Sequence, residues 1–257
     1  MFQGDYHFFD YKYNISGYNG QDYGGIAQYL YLIISVITIT ILLIRLRKSS
    51  RDKVLKIIRF ISIFLILFYL GKTTWESIHD IQYTGSFNTG LLPFDTCSIV
   101  MLATFLAGFG KGKLKKMAED WLVTGGVISG LAVMIIMNAF NYYPFLSFGA
   151  FYSMIWHFLM VFIGLLLIVT NYVNISYKTV INGFLLHLFI SMIVIPIDFI
   201  FNFDFMMYKN LGSIPIFEDI ATYFTSINLQ ILNPMMMLLL YFLAFNLIYV
   251  IYLIIKK

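Results

Sequence analysis

Charged side chains are scarce in this chain. Asp, Glu, Lys and Arg make up 12% of its 257 residues, against about a quarter in a soluble domain. Cysteine is scarcer still: Cys97 is the only one. One thiol excludes an internal disulfide and any multi-cysteine zinc or redox motif. There is no phosphate-binding glycine loop, no zinc-ligand spacing and no GxSxG nucleophile elbow, so no metal or other cofactor is expected. The opening 24 residues are acidic and aromatic rather than basic and then apolar, which argues against a cleavable signal peptide. The short alternating segments of a membrane β-barrel are missing too.

What fills the chain instead is apolar. Hydrophobic residues reach 60% and aromatic ones 19%, arranged in long continuous runs. Seven of these approach the roughly 20 residues a bilayer needs: Ile26–Leu46, Val54–Gly71, Leu91–Gly110, Trp121–Met137, Phe148–Thr170, Val180–Phe201 and Ile231–Ile255. The fold class is therefore all-α, a polytopic membrane bundle of about seven transmembrane helices. Residues 1–25 form an N-terminal segment and residues 26–257 a single seven-helix domain.

The net charge of +4 is placed for a membrane and not for nucleic acid. All Lys and Arg except Lys12, Lys72 and Lys209 fall on the side reached after the first, third and fifth spans or at the C-terminus, with Arg45, Lys56 and Arg59 in the adjoining span ends. All acids except Asp52, Glu119 and Asp120 fall on the opposite side. Positive charge collects on the cytoplasmic face, so the expected topology in the plasma membrane is N-terminus out, C-terminus in.

The outer segments are the longer ones. Residues 1–24 carry Tyr6, Phe8, Phe9, Tyr11, Tyr13, Tyr18 and Tyr23, which reads either as an interfacial aromatic segment or as a partly ordered tail. Residues 213–224, SIPIFEDIATYF, have the pattern of a short helix that lies on the outer surface or folds back into it. Gly125, Gly126, Ser129 and Gly130 signal close helix packing and nothing more. The sequons at Asn14 and Asn174 are matches of the kind that arise by chance.

Ionisable groups inside spans carry the functional signal, because a bilayer makes them costly. In the third span Pro93 is read as occupying the first helical turn, where a missing N–H is tolerated, with Asp95 and Cys97 close behind. Cys97 then lies roughly 9 Å below the outer end of its span and His157 roughly 14 Å below its own. A thiol and an imidazole at similar depth are the minimal nucleophile and base for covalent acyl transfer. The bland alternatives are a small packing residue for Cys97 and an interhelical hydrogen bonder for His157. His187, roughly 21 Å deep, is read as structural or as part of an inner relay. Asp198 and Asn202 share a helix face with Ser191 and His187, and with Asp95 they are candidates to orient the histidine or bind substrate.

The run Leu92-Pro93-Phe94-Asp95-Thr96-Cys97-Ser98, with His157 in a later span, resembles the YwaF-like bacterial integral membrane proteins, which are related to the eukaryotic transmembrane protein 164 acyltransferases. That resemblance implies transfer of fatty acyl chains on membrane phospholipids through Cys97 and His157, without a cofactor. The competing expectation is a non-enzymatic seven-helix transporter, ligand-binding protein or sensor that uses Asp95, Asp198 and Asn202. The lack of an inverted repeat and of paired mid-membrane charges weighs against transport.

Overall fold

The computed structural model describes residues 6–15, 25–135, 138–209, 218–226, 229 and 232–256. Among them the regular structure is helical: α1 (Ile26–Leu46), α2 (Arg51–Thr84), α3 (Ile99–Phe109), α4 (Gly112–Trp121), α5 (Val127–Ile135), α6 (Phe148–Val169), α7 (Tyr177–Phe201), α8 (Glu218–Ser226) and α9 (Asn233–Lys256). Seven stretches are long and apolar enough to cross a membrane, with α4 and α5 forming one of them together. The chain is an all-α polytopic membrane bundle.

Helix ends follow local chemistry. The Ser50 and Ser147 hydroxyls accept backbone amides at the starts of α2 and α6. Ser176 and Thr179 form a reciprocal capping box at α7. Gly85 ends α2 in the left-handed region at φ 73°, a conformation that costs glycine little.

Three spans differ from the sequence expectation, the second because α2 runs on past Gly71 to Thr84. The third does not begin as an α-helix at Leu91. Residues Thr89–Leu91 and Thr96–Ser98 form separate 3-10 turns, and α3 starts only at Ile99. Pro93 explains this, since its ring disfavours the helical region for Leu92, and Asp95 is still extended at φ −70°, ψ 152°. The fourth span begins earlier than Trp121, because the lysine-rich segment before it is already helix α4. Lys115–Glu119 and Lys116–Asp120 pairs on that helix support it at i,i+4 spacing. A π-helical turn over Leu122–Gly126 then joins α4 to α5. The helix expected within residues 213–224 is α8; residues 213–217, like Tyr18 and Tyr23, lie outside the described residues.

The chain forms two compact units, Met1–Leu91 with Gly126–Val173, and Leu92–Gly125 with Asn174–Lys257. In the first unit α6 packs on α1, α2 and α5. The Tyr31 hydroxyl on α1 donates to the Met154 carbonyl on α6 at 2.9 Å. A methyl group at Gly130 on α5 would come within 2.7 Å of Val161 Cγ2, so glycine sets that approach. α2, at 34 residues, is about 51 Å long and exceeds a hydrocarbon core of about 30 Å. Its C-terminal end receives residues 6–15: Trp75 Nε1 donates to the Phe9 carbonyl, and Tyr11 stacks on His79. Tyr11 is thus buried against α2, while Phe8, Phe9 and Tyr13 make ring contacts but stay exposed.

In the second unit α4 lies along α7 and next to α3, and α9 packs on α7. Asp120 holds the α4–α7 pairing by accepting from Asn182 Nδ2 at 2.9 Å. The α7–α9 contact is a layer of rings, with Phe184 and His187 against Tyr241, Phe242 and Phe245.

Candidate functional site

Cys97 sits at the centre of the 3-10 turn Thr96–Ser98, immediately ahead of α3. The turn is closed by the Ser98 amide, which donates to the Asp95 carbonyl at 2.8 Å. The thiol is half-buried, and Asp95 is exposed. Thr96 ties the turn to α9, its Oγ1 lying 2.6 Å from Tyr241 Oη. The Cys97 thiol and the Asp95 carboxyl are within electrostatic reach of that same phenol.

Behind Tyr241 is His187. The two rings are 4.2 Å apart between centroids, and His187 is fully buried. Its Nε2 faces Tyr208 Oη at 3.4 Å, and Tyr208 in turn makes a short hydrogen bond with Ser191 Oγ. Ser191 Oγ donates to the His187 carbonyl at 2.8 Å. Burial pushes the Tyr208 hydroxyl up to about 12, so it remains a neutral donor at any physiological pH. The depth argument from sequence set His187 apart from Cys97. In the second unit, Tyr241 and Thr96 connect them.

Asp198 is fully buried near the end of α7. One carboxylate oxygen accepts the Phe205 amide at 3.0 Å, which fastens the loop after the helix. The other, Oδ2, has no hydrogen-bond partner among the described residues. Asp95 and Asp204 lie within electrostatic range of this carboxyl. Asn202 is the left-handed cap of α7, at φ 59°, and its exposed side chain accepts from the Lys209 ammonium. Asn202 thus serves the turn that follows the helix.

His157 belongs to the first unit and is buried on α6. Its Nδ1 is 2.7 Å from the Ser153 carbonyl oxygen, which can only accept, so Nδ1 carries the proton of the neutral ring. Nε2 is then the lone-pair nitrogen, and it is buried with no hydrogen-bond partner among the described residues. The imidazole is oriented by the backbone one turn earlier.

Sequence reading missed Thr96, Tyr208 and Tyr241. Tyrosines are so frequent here, 19 in all, that none stands out by type. A hydroxyl in a span with no visible partner was the available signal. Buried Glu76 and Asp80 on α2 also escape a sequence reading, since they lie beyond the apolar run that ends at Gly71. No group of three His, Cys, Asp or Glu side chains able to hold a metal is present among the described residues.

A seven-span helical membrane protein with a thiol and an imidazole buried or half-buried in its spans is the class that fold and site define. The TMEM164 family model matches residues 23–255, and the chain belongs to the TMEM164 family. No curated protein and no solved structure matches it.

Proposed function

We propose that the protein moves fatty acyl chains between membrane lipids, with Cys97 as the nucleophile and His157 as the base. The observation that carries the reading is the state of His157. Its proton is committed to Ser153 at Nδ1, and the free lone pair at Nε2 is what a general base requires. Family membership and the placement of the chain's only thiol at the start of a span support it. His157 takes the thiol proton as Sγ attacks the ester carbonyl of a donor phospholipid. The S–C bond forms, the ester C–O bond breaks, and the proton passes to the departing lysolipid oxygen. In the second half His157 takes the proton of an acceptor hydroxyl, whose oxygen attacks the thioester. The C–S bond breaks and the proton returns to sulfur. Ester and thioester exchange without an external energy source or cofactor. Asp95 and Asp198 contact the substrate in this scheme. In the N-out, C-in orientation the lipid comes from the outer leaflet of the plasma membrane.

Intact-mass analysis of protein purified with its native lipid, before and after hydroxylamine, tests this. An acyl-sized mass on Cys97 that hydroxylamine removes is the expected result. An unmodified thiol, with a normal lipid profile in a Cys97→Ala strain, overturns it. Asp198 favours one other reading, ligand binding without covalent chemistry, because its Oδ2 is buried and lacks a hydrogen bond. Ligand affinity that survives Cys97→Ala and is lost in Asp198→Asn would mark that case.

A further inference from the structure

We propose that Tyr241 is a positioning residue for Cys97, acting through Thr96. The proposal rests on the acyl-transfer reading for what the thiol does, but not for how the thiol is held. Cys97 is in a short 3-10 turn that Pro93 and the extended Asp95 separate from any preceding α-helix. Such a turn has few backbone bonds of its own, and 3-10 geometry is the poorer of the two helical geometries. A side-chain bond from Thr96 Oγ1 to Tyr241 Oη, at 2.6 Å and across 145 residues of chain, fastens the turn to α9. Thr96 and Cys97 are consecutive, so whatever fixes the backbone of one fixes the direction of the other.

Tyr241 is suited to the task because it is itself held. His187 packs against its ring at 4.2 Å, and the Tyr208 ring meets it edge-on at 6.4 Å. Its hydroxyl also lies 3.4 Å from the Met206 carbonyl, which can only accept. A phenol donating toward that carbonyl accepts from Thr96, so the direction of both hydrogens is set. His187, with no role in the proposed chemistry, thereby acquires one as the wall behind Tyr241. The cluster turns the α7–α9 packing into a clamp on the nucleophile.

The test uses the full chain in lipid nanodiscs, where maleimide labels Cys97 alone because no other thiol exists. Tyr241→Phe and Thr96→Val are both near-isosteric and remove one hydroxyl each. Each should raise the rate of Cys97 labelling by about fivefold, the scale of one lost neutral hydrogen bond. The double variant should label no faster than either single one, since both remove the same bond. Thr96→Ser, which keeps the hydroxyl, should restore the slow rate. In acyl transfer, Tyr241→Phe should lower kcat about tenfold with KM unchanged, the mark of a misplaced reacting group. Labelling unchanged by Tyr241→Phe, or effects that multiply in the double variant, overturns the proposal. Labelling is independent of acyl transfer, so absence of any Cys97 thioester in the wild type would defeat the enzymatic reading and leave the clamp standing.

Discussion

Tyr11 donates its hydroxyl to Asp80 Oδ1 at 2.6 Å in the interior of the first unit. The bond pins the N-terminal segment to the far end of α2, 69 residues away in sequence. Asp80 Oδ2 has no hydrogen bond among the described residues, so Tyr11 is the donor that satisfies this buried carboxyl. Tyr11→Phe should cost about 1–3 kcal/mol of stability, the range for stranding a buried polar group. Thermal unfolding of the two proteins in the same nanodisc composition measures it. An unchanged midpoint would show that this hydrogen bond adds nothing to the unit's stability.

The same tyrosine predicts a loss of stability in alkali. Burial first, and the Asp80 acceptor second, hold the Tyr11 hydroxyl well above its ordinary value of 10. Burial raises Tyr143 in the same direction. A raised folded-state value means that the unfolded chain releases these protons first as pH rises. The stabilisation is therefore complete below about pH 10 and is lost progressively above it. Melting midpoints at pH 8 and pH 11 should differ, and the difference should shrink in Tyr11→Phe.

His157→Gln keeps a hydrogen-bonding side chain on α6 but removes the titratable lone pair. On the acyl-transfer reading it should slow turnover by about 10²–10⁴, the usual contribution of a positioned base. Single-turnover acylation of Cys97 by a fluorescent phospholipid is the measurement. His187→Gln, by loosening Tyr241, should have the smaller effect.

Gly183 sets the approach of α7 to α4. A methyl group there would lie 2.5 Å from Thr124 Oγ1 and 3.0 Å from the Asp120 carbonyl oxygen. The second neighbour is backbone and does not step aside. Gly183→Ala should destabilise the second unit by about 1–3 kcal/mol through overpacking, read as a lowered melting midpoint. Gly71→Ala, with open space around the added methyl, is the control and should melt no lower than wild type.

Asp198 separates structure from ligand binding. Asp198→Asn keeps an oxygen for the Phe205 amide at 3.0 Å and should melt close to wild type. Asp198→Ala leaves that amide without its acceptor and should lose about 1–3 kcal/mol. If the carboxyl contacts substrate, KM rises in both variants, including the stable one.

Much of the architecture was legible because the bilayer imposes a coarse rule. A continuous run of about 20 apolar residues spans hydrocarbon as a helix, the one structure that satisfies the backbone within a single segment. The seven spans follow from that alone. The boundaries that went astray lie where polar residues continue a helix. Lys113–Glu119 read as loop by hydropathy, yet i,i+4 pairing keeps them helical in α4. Trp75–Thr84 mix polar, aromatic and apolar residues, and Trp75, His79 and Asp80 there contact Phe9 and Tyr11 of the N-terminal segment. The start of α3 was misplaced because the steric effect of Pro93 on Leu92 outweighed the apolar signal around it.

The candidate site divides in the same way. Composition singled out Cys97, and the scarcity of ionisable groups in the spans singled out His157 and Asp198, because charge in hydrocarbon is too costly to occur at random. Those are properties of one residue and its immediate stretch. Which hydroxyl meets which ring is a property of two helices far apart in sequence, and only their packing decides it. That is why Tyr241 beside Thr96 and His187 behind Tyr241 came from the tertiary structure alone, whereas the Ser153 carbonyl on His157 is a contact one turn away on the same helix.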